Sequence, residues 1–218
     1  MGETPAQSTA EDAADSPPEA TPAETNEGSA RLADALRELK RVDDAVYRAV
    51  ERTRTPVIDA PLRRLSGFAS HSKLWLTIAA PLFVFGGRPG RRAAVSGVVA
   101  IGVNSFVVNV PLKAIARRAR PVRDAENDAA ARHVSMPTSR SFPSGHSASA
   151  FAFATAVASF MPELGLPLRG LAAVVAYSRV HIGVHYPGDV VVGSLVGIAI
   201  GESTALTTRS FLRKRDAR

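Results

Sequence analysis

Two histidines, one carboxylate and three fixed cations fall in three short segments: Lys113-(x6)-Arg120-Pro121, Pro143-Ser144-Gly145-His146 and Ser178-Arg179-(x5)-His185-(x3)-Asp189. That inventory suits moving a phosphoryl group through a histidine without a metal. A phosphate monoester resists attack because its oxygens are anionic. Catalysis is then mostly a matter of placing cations and donors around those oxygens while nucleophile and leaving group line up. Lys113, Arg120 and Arg179 supply the cations; arginine can grip two oxygens at once and lysine acts as a point charge. Pro121 is expected to stop a helix just after Arg120 and so to fix that side chain at the helix end.

Pro143-Ser144-Gly145-His146 precedes an apolar helix with Ser147 near its start. Backbone N–H groups at a helix N-terminus favour anions, and Gly145 lets the backbone approach a ligand closely. The Ser144 hydroxyl adds a donor, and His146 is placed to protonate a leaving alkoxide. His185 and Asp189 are four residues apart with Pro187-Gly188 between them. A bent approach to a helix is expected there rather than a regular helical pair. A carboxylate bonded to one ring nitrogen fixes the tautomer and raises the basicity of the other, which makes His185 a candidate nucleophile. One histidine must start neutral and the other protonated, so a bell-shaped pH dependence is expected.

Taken singly, each residue has a plainer reading: a polar contact for His146, a juxtamembrane basic cluster for Lys113 to Arg120, an interface anchor for Arg179, a helix cap for Asp189. Their joint spacing is what favours chemistry. His181 and His185 also form an i, i+4 pair of the kind that binds zinc, but the third ligand and a metalloprotease glutamate are missing. No metal and no other cofactor is expected. His181 is read as lining the phosphate or supporting the residues that do, and His71 and His133 as loop or interface residues. Arg117 and Arg118 suit either anionic substrate or headgroup anchoring.

The elements that must position these residues are apolar. Residues 74–87 carry no charge and begin near Trp75, where an indole suits a membrane interface; adding 66–73, with Lys73 snorkelling, reaches spanning length. Residues 93–112 form the clearest span, and 147–161, 166–178 and 190–208 follow. The fold class expected is all-α: a membrane-embedded helical bundle of about five spans, rich in Gly, Ala and Ser at helix faces. A soluble bundle of buried helices is the alternative for the shorter runs. Asn104, Ser105 and Asn109 are expected to hydrogen-bond neighbouring helices.

Residues 1–30 hold seven acids and no Lys or Arg, so the rest of a chain of net charge +7 carries about +14. This head has neither the basic nor the apolar region of a signal peptide and is read as a disordered acidic tail. Residues 31–54 read as an amphipathic helix: Leu32, Leu36, Leu39, Val42, Val46 and Val50 recur at three- and four-residue spacing, to pack on the body or lie among headgroups. Residues 55–218 form the membrane domain. Absence of cysteine excludes thiolate chemistry and disulfides. A basic, apolar body meets anionic lipid rather than nucleic acid, since no aromatic–basic interleaving is present. All three motifs fall at helix ends on one side. Arg88, Arg91, Arg92, Arg169, Arg209, Arg213, Lys214, Arg215 and Arg218 lie on the other, which leans cytoplasmic by the positive-inside rule. That places the active site on the extracytoplasmic face of a multi-pass protein of the cell membrane.

Together the three segments resemble the signature of the type-2 phosphatidic acid phosphatase superfamily, which includes membrane lipid-phosphate phosphatases and the soluble vanadium haloperoxidases. The resemblance rests on Lys113, Arg120, Pro121, Pro143, Ser144, Gly145, His146, Ser178, Arg179, His185 and Asp189, and covers roughly residues 60–208. It implies metal-independent dephosphorylation of a lipid phosphate, with His185 as nucleophile and His146 as general acid/base. Many members have six spans against about five here. The Ala/Arg-rich style around SFPSGHSASAFAFATAVASF is similar to actinobacterial members, among them phosphatases proposed to act on decaprenyl-phosphoryl-5-phosphoribose. Phosphatidic acid, phosphatidylglycerol phosphate and polyprenyl diphosphate stay open as substrates. A haloperoxidase-like enzyme and a catalytically silent lipid-binding protein are the rival readings.

Overall fold

The computed structural model describes residues 22–116, 118–123 and 132–217. Arg117 and most of the acidic head therefore lie outside the described residues. Seven helices run in order among them: α1 (Pro22–Arg52), α2 (Pro56–Phe68), α3 (Lys73–Phe85), α4 (Gly87–Val107), α5 (Gly145–Ala158), α6 (Gly165–His181) and α7 (Pro187–Asp216). The all-α class holds, and no strand occurs among the described residues.

The centre of the bundle is α5, whose sequence GHSASAFAFATAVA is uncharged. It packs against α4, α6 and α7 and buries Ala148, Ala150, Ala152, Phe153, Ala154 and Ala156 completely. Small side chains let backbones approach, and in lipid that approach replaces the hydrophobic drive as the source of helix association. The closest approach is along α7. A methyl group built on Gly193, Gly197 or Gly201 would lie 2.5, 2.2 and 2.7 Å from the carbonyl oxygens of Ser144, Ala148 and Ala152. These glycines recur every four residues, so one bare stripe of α7 lies against α5. On the opposite flank, Gly97 of α4 accommodates the Phe153 ring, which also packs against Trp75 at 5.4 Å between centroids. Trp75 is 1% exposed. It is a core residue, not the interface anchor expected from its place near an apolar start, because Phe153 and the α4 alanines offer it a packed pocket.

Among the described residues two helices are long and apolar enough to cross a membrane, Gly87–Leu112 and Pro187–Arg215; α2 with α3 makes a third only if a 67° bend is allowed within one span. The continuous first span drawn through residues 66–87 is thus corrected. The chain breaks at Ser70–Ser72, where His71 and Ser72 take left-handed φ values of 54° and 59°. Helices α5 and α6, at 14 and 17 residues, are shorter than the other candidates. Beyond Val107, α4 loosens into a π-turn over Val108–Leu112. Pro111 lies inside that turn and supplies no N–H, which favours the slipped hydrogen-bond pattern. Asn104, 1% exposed, donates to Ser149 Oγ at 2.9 Å across the α4–α5 contact.

The chain divides into two compact units, the second starting at Arg41. In the first, α1 begins at Pro22, ahead of the residue-31 start expected, and Arg37 pairs with Asp34 at 3.2 Å on the surface. Leu32, Leu36 and Leu39 are exposed. In the second, Val42 and Val46 are exposed as well, while Asp43 and Tyr47 are buried. Within this second unit, the part of α1 after Arg41 packs through Asp43 and Tyr47 and not through its valines.

Candidate active site

The N-termini of α5 and α7 and the C-termini of α4 and α6 bring the three segments to one end of the bundle. The Ser144 N–H donates to the Asp189 carbonyl at 2.9 Å, which ties the start of α5 to the first turn of α7. Ser144 is the N-cap of α5 and fully buried; its Oγ accepts from Ser147 Oγ at 2.9 Å and from the Ser147 N–H at 3.4 Å. As an acceptor its hydroxyl oxygen therefore secures the helix start. At Gly145 an added methyl group would meet only Val108 at 3.8 Å, so the space over this helix N-terminus is open to a ligand. His146, one residue further, lies 3.2 Å through Nε2 from Ser70 Oγ in the break between α2 and α3.

The cations arrive by three routes. Lys113 follows the π-turn, its Nζ 3.5 Å from Ser139 Oγ. Arg120 is not at a helix end: the helical path stops at Ile115, where Ala116 turns extended. After the π-turn no helical ladder carries on to Pro121. Arg120 is held instead by acceptors. Its Nε donates to Ser139 O at 2.8 Å, and its terminal nitrogens to Val184 O at 2.7 Å and Ser139 Oγ at 3.1 Å. One of those nitrogens also lies 3.4 Å from His185 Nε2. Arg179, 4% exposed on α6, donates to Ser66 Oγ, and its Nε has no hydrogen-bond partner. A buried donor left unmatched on a guanidinium is costly, and an anionic oxygen would satisfy it. Burial and the charge of Arg120 hold Lys113 below the ordinary lysine range, and burial lowers Arg120. An incoming phosphate would relieve both.

His185 sits in the loop between α6 and α7, 2% exposed. Burial, with smaller contributions from the Arg179 and Arg120 charges, pushes its imidazole down to about 4, against the opposing pull of Asp189. The ring is thus neutral at physiological pH, as a nucleophile must be. Its Nδ1 is 3.5 Å from Asp189 Oδ2, facing the carboxylate but longer than a formed hydrogen bond, and has no closer partner. Asp189 has no exposed surface and is fully engaged otherwise. Oδ2 accepts from the Tyr186 N–H at 2.9 Å and from the Ser141 hydroxyl, and Oδ1 accepts from Arg118 at 3.1 Å. The bent helix approach is present, with Pro187 opening α7 and Asp189 in its first turn. His181 is elsewhere: its Nε2 meets Asp59 Oδ1 at 2.8 Å.

Sequence spacing did not single out the serines Ser66, Ser70, Ser139 and Ser141, nor Arg123 and Asp43, and it gave Arg118 no part in holding Asp189. Arg118 is no headgroup anchor, since both its terminal nitrogens are bonded to carboxylates, Asp43 and Asp189. Arg123 donates to the carbonyls of Ile182, Gly183 and Val134, stitching its own loop to the one that carries His185. Serines between motifs carry no distinctive spacing. Arg118 had a signal only in lying two residues from Arg120.

The fold and site define a class: a helical membrane bundle with a neutral, carboxylate-backed histidine, a second histidine and three cations around a helix N-terminus open to an anion. Residues 93–213 match the PAP2 superfamily, and the chain belongs to it. It is 36% identical over 148 residues to the decaprenylphosphoryl-5-phosphoribose phosphatase of Mycobacterium tuberculosis, covering 67% of this chain and 78% of that one. The protein of the same name from Mycolicibacterium smegmatis is 34% identical over 156 residues, covering 70% and 82%. In fold, the chain is similar to a transmembrane PAP2-type phosphatidylglycerolphosphate phosphatase from Bacillus subtilis, with a TM-score of 0.62 at 22% identity over 81% of this chain and 87% of that one.

Proposed function

We propose that this protein is an integral-membrane phosphatase that removes a terminal phosphate monoester from a polyprenyl-linked sugar phosphate, through a phosphohistidine on His185. The observation that carries the mechanism is the orientation of His185. Nδ1 faces Asp189 and Nε2 faces Arg120, so Nε2 is the atom presented to phosphorus. Burial, then the charges of Arg179, Lys113 and Arg120, hold the free His146 imidazole down to about 3, so it takes up its proton as the anionic phosphate enters and offsets those cations. In the first step Nε2 attacks phosphorus, the bond from phosphorus to the ester oxygen breaks, and the protonated His146 gives that oxygen its proton. In the second, His146 takes a proton from water, whose oxygen attacks phosphorus; the P–N bond breaks and orthophosphate leaves. Lys113, Arg120, Arg179 and the α5 N-terminus hold the equatorial oxygens throughout.

The substrate class rests on the relatives, whose names specify a decaprenyl-linked phosphoribose. The membrane provides the second partner, lipid. Its cytoplasmic side is the end opposite the site, where Arg91 bonds the Phe83 carbonyl at 3.3 Å and Arg209 lies 5.4 Å over the Phe160 ring. The site then faces outward from the cell membrane.

Phosphate release from purified lipid phosphates tests this directly. A polyprenyl-phosphoryl sugar phosphate is expected to be the best substrate, ahead of phosphatidic acid and phosphatidylglycerol phosphate. His185→Ala is expected to release none while remaining folded. Intact cells given a water-soluble, membrane-impermeant analogue should release phosphate to the medium. Equal rates on all lipids would remove the substrate assignment, activity in His185→Ala the mechanism, and hydrolysis only after lysis the orientation.

A further inference from the structure

The polar face of α1 reaches the back of the site. Asp43, 9% exposed, accepts from Arg118 and, at 2.6 Å, from the N–H of Gly188, the residue next to Asp189. The other terminal nitrogen of Arg118 donates to Asp189 Oδ1 at 3.1 Å. The guanidinium lies 4.1 Å over the Tyr186 ring, and Tyr186 meets Tyr47 of α1 edge-on at 5.5 Å. Fit is tight on both sides of His185. A methyl group on Gly188 would come 3.1 Å from Asp43 Oδ2, and one on Gly183 would come 3.1 Å from the Tyr47 hydroxyl. Neither Asp43 nor Tyr47 falls within the family-matched residues 93–213.

Two carboxylates thus share one arginine. Were Asp43 absent, Arg118, whose side chain is 27% exposed, would turn its freed nitrogen to water. Asp189 would then be gripped by a mobile cation, and the first turn of α7 would lose the acceptor that fixes Gly188. Asp189 Oδ2 would keep its bonds from the Tyr186 N–H and the Ser141 hydroxyl, but Oδ1 would lose its fixed partner, leaving the carboxylate freer to rotate and to widen the 3.5 Å gap to His185 Nδ1. We infer that Asp43 is a positioning residue for the reaction: through Arg118 and the Gly188 amide, a helix outside the family-matched region holds Asp189 against His185. This rests on His185 being the nucleophile.

The test is steady-state phosphate release by the full chain carrying Asp43→Asn, with turnover normalised to folded protein. Asp43→Asn keeps an acceptor and loses the charge. The expected result is a kcat lower by about 10–100-fold, the usual effect of losing a residue that orients a catalytic group, with KM changed less than about twofold. The acid limb of kcat/KM should also move to lower pH. His185 faces Asp189, Arg120, Arg179 and, from α5, His146, with Arg118 and Asp43 behind Asp189, and removing one negative charge from that set makes the ring harder to protonate. Asp43→Glu should restore part of kcat. Arg118→Lys, which keeps charge but not the two-pronged geometry, should reproduce the kcat loss and covers the case in which Asp43→Asn does not fold. Asp34→Asn, at the surface of the same helix, is the control. Unchanged kcat and acid limb in folded Asp43→Asn or Arg118→Lys would overturn the inference, as would a loss confined to KM or to the amount of folded protein. Residual turnover in His185→Ala would instead refute the nucleophile itself, so the two failures are distinguishable.

Discussion

At the residue scale, the site gains its reactivity by withholding water from a histidine. Burial lowers the affinity of His185 for a proton, and Arg179 and Arg120 lower it further while Asp189 opposes them. Because the folded value, about 4, lies below the ordinary histidine value, the nucleophile stays neutral well into acid. The acid limb of kcat/KM in the free enzyme is therefore expected clearly below pH 6.5, and a limb at or above pH 6.5 would contradict this environment for His185. The sign for stability follows the same shift. The unfolded chain binds the proton first as pH falls, so this residue's contribution is complete above about 6.5 and is lost as pH falls towards 4. Much of this was legible in sequence, because Lys113, Arg120, His146, Arg179, His185 and Asp189 are marked by type and spacing. The serines and carbonyls that hold them were not. Ser139 supports both Lys113 and Arg120 only because the loop after Arg132 folds back, a tertiary fact without local pattern.

At the element scale, helix existence followed from apolar runs, but the manner of packing did not. The Gly193–Gly197–Gly201 spacing was visible as composition; that it faces α5 depends on which side of α7 meets it. Gly197 is the most constrained, since any side chain must displace the Ala148 carbonyl or the whole of α7. Gly197→Val is expected to lower Tm by several degrees and kcat with it, because α5 and α7 carry His146 and Asp189 on their first turns. Gly102→Ala, at a site with open space, should leave both unchanged and serves as the comparison. Equal Tm for Gly197→Val and the parent would mean that the α5–α7 contact is looser than described. The broken helix at Ser70–Ser72 escaped sequence reading for a related reason. Neither glycine nor proline marks it, and two non-glycine residues take left-handed backbone angles there.

For the molecule as a whole, the family-matched region holds His146, His185, the cations and Asp189, while α1, α2 and the break that follows α2 bring Asp43, Ser66 and Ser70 to them. The two helices long enough to cross a membrane, Gly87–Leu112 and Pro187–Arg215, each reach the site with one end: the first runs into Lys113, and the second opens at Pro187, just ahead of Asp189. The reacting phosphorus is therefore held where these helices leave the hydrocarbon, so the substrate can be dephosphorylated without being lifted out of its leaflet, and the depth of the membrane becomes a rate variable. Turnover in phosphatidylcholine vesicles should change with acyl-chain length; a rate indifferent to chain length would show that the site is not tied to the depth of the bilayer.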